Sequence, residues 1–307
     1  IRDTSVTGFR RVLFRSGIAD EHSVVQVTPK GLVAFAGTQS QGQGHETVFA
    51  QVLSQTLGVP VEQIEVRQGD TRTIPHGGGT GGSSSTIITG TTLKRAADVV
   101  IQRGRDLAAE RLETSPADIV FKDGSFEVVG TDRRIGLLEL AEHKPLEGDA
   151  VFADKIESFP TGVMVCEVEV DPDTGAVRID RLTSVTDAGV VVNPRLLDGQ
   201  IHGGIAHGLG NAAMEEAIYD EETGQLLTGT LMDYALPRAE DLPNFTVETI
   251  VTPSPNNMLG FKGVGELPTN GAPAAYGNAV LDALRADGVR HIDLPITAQK
   301  VWRALNR

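Results

Sequence analysis

The sequence predicts an α+β protein in which mixed sheets with hairpins pack against helices in two lobes. Hairpin signals recur along the chain and long helical patterns stand between them, without the regular strand–helix alternation of a doubly wound sheet. With 307 residues, of which 40% are hydrophobic, the chain can bury a core large enough for one domain or two lobes.

The first lobe is predicted to span residues 17–160. Apolar runs at His22–Val27 and Leu32–Gly37 flank a proline–glycine turn and predict a hairpin. Apolar residues at three- and four-residue spacing predict a helix over Glu46–Leu57. The remaining predicted elements are a strand at Ile64–Arg67, a helix at Ser83–Leu112, a hairpin at Ile119–Val129 and an irregular boundary segment at Gly148–Thr161.

The second lobe is predicted to span residues 161–307. Apolar residues alternate in Val163–Val170 and Val177–Val185 on either side of the turn Asp171–Gly175, which indicates another hairpin. A glycine-rich helix is predicted at Leu196–Ala213. The other predicted elements are a hairpin turn at Glu222–Gly224, a strand at Phe245–Val251 and helices at Ala274–Leu284 and Ile296–Leu305.

Residues 1–16 differ from the rest of the chain, because they carry four arginines and one aspartate. They resemble translated sequencing-adapter sequence, so we interpret them as a non-native tail and leave them out of the fold prediction. A basic arm is the alternative interpretation.

The overall charge and composition exclude several classes of protein. A net charge of −14 argues against nucleic-acid binding, which requires a concentrated basic face, and any anionic ligand must be held largely by backbone N–H groups. The single cysteine, Cys166, excludes an intrachain disulfide and any cysteine-based metal site. No run approaches the roughly 20 apolar residues of a membrane span and no signal pattern opens the chain, so a cytoplasmic protein is expected.

Two glycine-rich loops each precede a predicted helix. The first, QGQGHET at residues 41–47, has the geometry of an anion site, because free N–H groups at the helix start point outward and glycine lets a phosphate approach. A polar capping loop is the alternative, with His45 as a structural hydrogen-bonding residue. The second, GGGTGGSSST at residues 77–86, matches G-x-G-x-x-G, but no strand runs into it and no lysine follows, which disfavours a dinucleotide or phosphate-loop fold. A flexible linker is the alternative there.

Two further polar segments occur in the second lobe. In Asp187–Pro194 and Asp198–Gly204, helix capping explains both aspartates about as well as ligand binding does, and Asp198 is a candidate cap of the helix. Gln200 is followed by glycines, so its amide can reach a buried ligand. In Lys262–Pro268, Glu266 lies between glycines and a proline, which makes it a candidate general base, with a solvent-exposed turn as the alternative.

In their order and spacing, the motifs QGQGHET, GGGTGGSSST, DAGVVVNP, GQIHGGIAHGLG and KGVGE resemble the molybdenum hydroxylases, the family of xanthine dehydrogenase, aldehyde oxidase and aerobic carbon monoxide dehydrogenase. The resemblance extends from about residue 20 to the C-terminus. It corresponds to the second molybdopterin-binding half of the large catalytic subunit, so we expect a C-terminal fragment that is inactive alone. The five segments are expected to line one pocket.

The resemblance implies a role for each motif. Glu266 corresponds to the general base that deprotonates a hydroxide on molybdenum, after which hydride passes to a sulfido ligand. Gln200 corresponds to a glutamine near the molybdenum oxo group, and Gly82 to a residue whose backbone approaches the metal, with no side-chain ligand. The cofactor-binding positions are Gln41, Gly42, Gln43, Gly44, His45, Thr47, Thr80, Gly81, Gly82, Ser83, Ser84, Ser85, Thr86, Asp187, Asn193, Gln200, Lys262, Gly263, Val264 and Gly265.

The implied cofactor is molybdopterin cytosine dinucleotide with molybdenum. The implied partners are the N-terminal half of the large subunit and the 2Fe–2S clusters and FAD of other subunits or domains. The implied substrate is a small aldehyde, N-heterocycle or carbon monoxide. The chain departs from many relatives at Ser84, where an arginine is common, so a cation for the pyrophosphate is missing. The alternatives are a non-catalytic nucleotide- or anion-binding module and, less favoured, a phosphate-loop hydrolase.

Overall fold

The computed structural model describes residues 10–13, 20–74, 76–153 and 157–306. The strands, in chain order, are β1 Arg10–Leu13, β2 Glu21–Thr28, β3 Gly31–Ala36, β4 Ile64–Gln68, β5 Ile119–Lys122, β6 Ser125–Val128, β7 Arg134–Gly136, β8 Leu146–Phe152, β9 Thr161–Val170, β10 Val177–Asp187 and β11 Thr246–Ile250. The helices are α1 His45–Leu57, α2 Ser85–Arg111, α3 Leu137–His143, α4 Pro194–Ala213, α5 Leu267–Ala283 and α6 Ala298–Leu305.

The N-terminal sheet has the order β4-β3-β2-β8, with β4 parallel to β3 and the other pairs antiparallel. Its side chains alternate between buried and half-buried along β2, as expected for a sheet covered on one face. Helices α1 and α2 contribute Phe49, Leu53 and Leu93 to the core that this sheet shares with a small sheet of β5, β6 and β7. The predicted hairpins and helices of this region are confirmed.

The C-terminal sheet has the order β1-β9-β10-β11, in which β11 runs parallel to β10. Helices α4 and α5 pack together over it and bury Ile201, Leu209 and Tyr276 against Met164 and Leu182. The fully buried residues of the two hydrophobic cores lie within residues 25–146 and 164–301, while Val192 and Leu196 pack against the first core from beyond residue 160. The division into two lobes stays a prediction. Mixed sheets with packed helices confirm the α+β class.

Several predicted boundaries were wrong. The first five residues of the irregular segment predicted from Gly148 belong to β8, where pairing with β2 outweighs a weak strand sequence and Gly148 lets the strand approach α2 closely. Helix α5 begins at Leu267, seven residues before the predicted start at Ala274, because Pro268 is tolerated in the first helical turn. Around Glu222–Gly224 the chain turns, but the pairing is a single isolated bridge.

Part of the tail set aside as non-native pairs with the fold. Strand β1 runs antiparallel to β9, with Arg10 opposite Met164 and Leu13 opposite Thr161. The rest of residues 1–16 lies outside the described residues, and the non-native origin of the tail stays a prediction. Across the parts of the chain that the structure describes, no helix is both long and apolar enough to cross a membrane.

Candidate cofactor and active site

One cleft of about 650 Å³ brings the predicted segments together. The first residues of α1, α2 and α4 line it, and so does the residue before α5, so four helix N-termini converge on the same space. Unpaired N–H groups and aligned peptide dipoles at helix N-termini contribute a positive potential to such a cleft. The predicted residues that line the cleft are Gln41, Gly42, Gln43, His45, Thr80, Gly81, Gly82, Ser83, Ser85, Thr86, Asn193, Gln200, Lys262, Gly263, Val264, Gly265 and Glu266.

The loop before α1 is ordered by its own amides. The side-chain oxygen of Gln43 accepts a hydrogen bond from the Gln41 amide nitrogen at 2.5 Å, and its Nε2 lies 3.0 Å from Nε2 of His45. Burial lowers the pKa of His45, although the neighbouring Glu46 carboxylate acts in the opposite direction. A neutral imidazole, with one donor and one acceptor nitrogen, suits the structural role considered for His45. Thr47 is exposed and does not line the cleft.

Gly44 fixes how the first loop packs on α4. Its φ of 80° is left-handed, and a Cβ atom there would lie 2.6 Å from Cδ1 of Leu196. A side chain at this position would therefore require the Leu196 side chain to shift. Gly44 itself does not line the cleft.

Thr80 joins the two glycine-rich loops. Its Oγ1 accepts a hydrogen bond from the Gln39 amide nitrogen at 3.0 Å and donates one to the Gln39 carbonyl oxygen at 2.5 Å. Ser84 is buried at the end of the second loop, and its hydroxyl donates to the Gly81 carbonyl oxygen at 2.7 Å. Position 84 is therefore turned into the loop rather than into the cleft.

Ser83 contacts the candidate general base directly. Its Oγ donates a hydrogen bond to Oε2 of Glu266 at 2.7 Å and accepts one from the Glu266 amide nitrogen at 3.0 Å. Ser83 has a φ of 54°, in the left-handed region, and the main chain of Gly263 packs against its carbonyl group. Glu266 is exposed to the cleft at the position that precedes α5.

Asp187 lies behind the cleft wall rather than in it. Its carboxylate binds Nζ of Lys262 at 2.8 Å and accepts hydrogen bonds from the amide nitrogens of Gly189 and Thr252 at 2.9 and 3.1 Å. Burial raises the pKa of Asp187, but the Lys262 ammonium and the two N–H groups outweigh it, and the net pKa is lowered. Asp187 therefore holds Lys262 at the cleft as a buried ion pair.

The α4 residues at the cleft have different tasks. Asn193, not Asp198, caps the helix, since its Oδ1 accepts a hydrogen bond from the Leu196 amide nitrogen at 3.1 Å. Asp198 lies within α4 and does not cap it, because α4 begins at Pro194, two residues before the predicted start at Leu196. Gln200 lines the cleft, and its amide makes no hydrogen bond with the residues that the structure describes. That amide is available to a ligand.

Sequence reasoning missed two kinds of residue at this site. Apolar side chains form much of the wall, and they carry no chemical signal of their own: Val48, Ala188, Val190, Val191, Val192, Leu196, Leu197 and Phe261. Glu21 was also missed. It is 1% exposed beneath the loops, accepts a hydrogen bond from the Gly37 amide nitrogen at 2.8 Å and has its pKa raised by burial. The sequence signal that could have identified Glu21 is its position as the first residue of β2, a strand with alternating apolar residues.

Comparison with known proteins gives consistent matches. The family model described as a molybdopterin cofactor-binding domain matches residues 4–243. A curated relative, the 6-hydroxypseudooxynicotine dehydrogenase complex subunit gamma of Paenarthrobacter nicotinovorans, is 39% identical over 305 residues, covering 94% of this chain and 37% of that protein. The chain spans little more than a third of the length of such curated relatives.

Solved structures match over nearly the whole chain. The structure of Cu,Mo-CO dehydrogenase in its carbon monoxide reduced state has a TM-score of 0.90 and 31% identity, covering 97% of this chain and 41% of that one. Quinoline 2-oxidoreductase from Pseudomonas putida 86 has a TM-score of 0.87 and 32% identity, covering 98% of this chain and 42% of that one.

Proposed function

Because this chain belongs to the molybdenum hydroxylase family, as a molybdopterin cofactor-binding domain, we propose that it forms the C-terminal part of a catalytic subunit that hydroxylates a small molecule with oxygen from water. The observation that carries this proposal is the cleft in which Glu266 faces the glycine-rich loops at four helix N-termini.

The residues of the cleft fit an anionic pterin cofactor. At Gly42 and Gly81, no described atom lies within 4 Å of where a Cβ atom would stand, so a ligand can approach the main chain there. Helix N-termini supply N–H donors for phosphate oxygens, which offsets the absence of an arginine at Ser84. Asn193 and Gln200 add amide groups, and the free amide of Gln200 can both donate and accept.

We extend the proposal to the cofactor form and the partners. The cofactor is proposed to be the cytosine dinucleotide form, with the remaining length of the subunit completing the site. Electrons are proposed to leave through 2Fe–2S clusters and FAD on other subunits or domains. The names of the relatives include carbon monoxide, quinoline and 6-hydroxypseudooxynicotine, which supports carbon monoxide or an N-heterocycle as the substrate class.

In the proposed reaction, the residues of this chain have separate roles. The molybdenum cofactor, when bound, supplies the redox chemistry of the hydroxylation. Glu266 accepts a proton in the cleft, for which a carboxylate within reach of the reacting group is suited. Gln200 orients the bound group through its amide, and the glycine-rich loops exclude bulk water from the pterin side.

The proposal is tested in the complete subunit assembled with its partners and purified from a host that makes the cofactor. Wild type is expected to contain molybdenum and to hydroxylate an aldehyde or N-heterocycle or to oxidise carbon monoxide. Glu266→Gln is expected to retain molybdenum and to lose turnover by a factor of about 10³ or more, while the matched control Glu248→Gln, on the exposed strand β11, retains both. Unchanged turnover in Glu266→Gln, or a wild-type protein that binds a nucleotide without molybdenum, would favour the non-catalytic binding module instead.

A further inference from the structure

We infer that Ser83 is a positioning residue that holds the Glu266 carboxylate in its working orientation. The inference rests on the proposed role of Glu266 as the general base. It assigns Ser83 a task other than contact with the cofactor.

The two contacts between these residues use the serine hydroxyl fully. A serine hydroxyl has one proton and two lone pairs, so Ser83 Oγ can donate to the carboxylate and accept from an N–H group at the same time. It does both with Glu266, at 2.7 Å to Oε2 and 3.0 Å from the amide nitrogen. The side chain and the main chain of Glu266 are therefore fixed by one atom that is 183 residues away in sequence.

The pairing leaves one carboxylate oxygen available. Oε2 of Glu266 is held by Ser83, whereas Oε1 makes no hydrogen bond with the described part of the chain. A base needs a lone pair directed at the proton that it accepts, and a carboxylate held through its other oxygen provides one without free rotation. The geometry thus separates an anchoring oxygen from a reacting oxygen.

The backbone at Ser83 is adapted to this contact. A serine at φ 54° occupies a region that costs free energy for any residue except glycine, and such conformations concentrate at functional sites. Gly82 precedes it at φ 59°, so two successive left-handed residues turn the Ser83 side chain toward the Glu266 loop. Gly263 and Gly265 pack against Ser83 without side chains, which permits the close approach.

Neighbouring hydroxyl groups have other partners. Ser84 Oγ donates to the Gly81 carbonyl oxygen, and Ser85 Oγ lies 3.4 Å from Oγ1 of Thr80. Internal ordering of the loop is therefore provided by Thr80, Ser84 and Ser85. The Ser83 hydroxyl contacts Glu266 instead.

The test uses the assembled enzyme with Ser83→Ala, Ser83→Gly, Glu266→Gln and the double variant Ser83→Ala/Glu266→Gln. Ser40→Ala is the matched control, because Ser40 Oγ donates to a glutamate oxygen, Oε2 of Glu46, at 3.0 Å outside the cleft lining. Both Ser83 variants are expected to lower kcat by roughly 10- to 100-fold with KM changed less than about twofold and molybdenum content unchanged. Ser83→Gly relieves the backbone strain, so a matching loss in both variants separates the hydroxyl from the stability of the loop.

Two readouts distinguish positioning from simple support. The double variant Ser83→Ala/Glu266→Gln is expected to have the same kcat as Glu266→Gln alone, because the Ser83 hydroxyl acts only through the Glu266 carboxylate. A crystal structure of Ser83→Ala is expected to show the Glu266 carboxylate rotated away from its wild-type position. An unchanged carboxylate position, a full additional loss in the double variant, or loss of molybdenum in both Ser83 variants would each overturn the inference.

The same set separates this inference from the proposed function. Wild-type kcat in Ser83→Ala together with an inactive Glu266→Gln overturns the positioning role alone. Wild-type kcat in Glu266→Gln overturns the proposed function and the inference with it.

Discussion

The Nζ atom of Lys262 lies 2.8 Å from Oδ2 of Asp187, and both side chains are almost completely buried. The other oxygen of Asp187 accepts hydrogen bonds from the amide nitrogens of Gly189 and Thr252. One carboxylate therefore joins the end of β10, the segment after β11 and the loop that leads to Glu266.

Asp187→Asn is expected to destabilise the protein, because it leaves the Lys262 ammonium buried without its counter-charge. The expected loss in the free energy of unfolding is about 3–5 kcal/mol. Glu65→Gln, which removes an exposed partner of Arg67, is the control and is expected to leave the free energy of unfolding close to that of wild type. Denaturant unfolding measures both, and equal losses would contradict a special role for the buried pair.

The Asp187 ion pair also predicts a pH dependence. The pKa of Asp187 in the folded protein lies below its ordinary value of 3.8, so the unfolded chain binds a proton more readily. The stabilisation is therefore fully present above that ordinary value and is lost as pH falls through the lowered pKa. Thermal unfolding between neutral pH and about pH 2 should show wild type and Asp187→Asn converging at the acidic end. If the difference in unfolding temperature between wild type and Asp187→Asn stays constant across that pH range, the predicted role of the Asp187 charge is wrong.

Two adjacent glycines in α4 are expected to respond oppositely to alanine. Gly203 is exposed with no described atom near its Cβ direction, so Gly203→Ala should stabilise the helix by about 0.5–1 kcal/mol. Gly204 is buried against α5, where a Cβ atom would lie 2.9 Å from Cβ of Pro268. Gly204→Ala should cost about 1–3 kcal/mol and lower turnover, since Pro268 follows Glu266 closely. The denaturant midpoints of unfolding of the two variants measure these changes. If both substitutions raise the midpoint, or both lower it, the predicted difference in packing is wrong.

Gly81→Ala is expected to separate folding from cofactor binding. No described atom lies within 4 Å of its Cβ direction and its φ is not left-handed, so the unfolding midpoint should stay within about 1 °C of wild type. The added methyl group enters the cleft, where the cofactor is proposed to approach the main chain. Molybdenum content of the assembled enzyme should fall several-fold, whereas Gly203→Ala should retain it. Full molybdenum content in Gly81→Ala would place the cofactor elsewhere.

Cys166 is expected to be inert in the folded protein. Burial raises the pKa of its thiol from 9.0 to about 12, with a smaller contribution from Glu167. A thiol reagent that reacts with the thiolate should therefore label it at least roughly 1000-fold more slowly than the same protein in denaturant. Because the sequence contains one cysteine, the labelling is read directly as mass per chain. Rapid labelling under native conditions would show that β9 opens.

Most elements were predictable because their signals are local. The spacing of apolar residues in α1 and the alternation in β9 and β10 each lie within a short window, and the turns between them carry glycine, proline or aspartate. β8 was missed because its strand character comes from pairing with β2, which no window of the sequence contains. The start of α5 was missed because proline at the first turn is ambiguous between stopping and starting a helix.

The sequence by itself determined the α+β class, the glycine-rich loops and the family to which they belong, since these follow from residue types in fixed order. Only the tertiary structure decided that Asp187 pairs with Lys262 rather than lining the cleft, that Asn193 caps α4, and that the Ser83 hydroxyl hydrogen-bonds the Glu266 carboxylate. The physical reason is that hydrogen-bond partners are set by the packing of segments distant in the chain, whereas periodicity and turn chemistry are written in neighbouring residues.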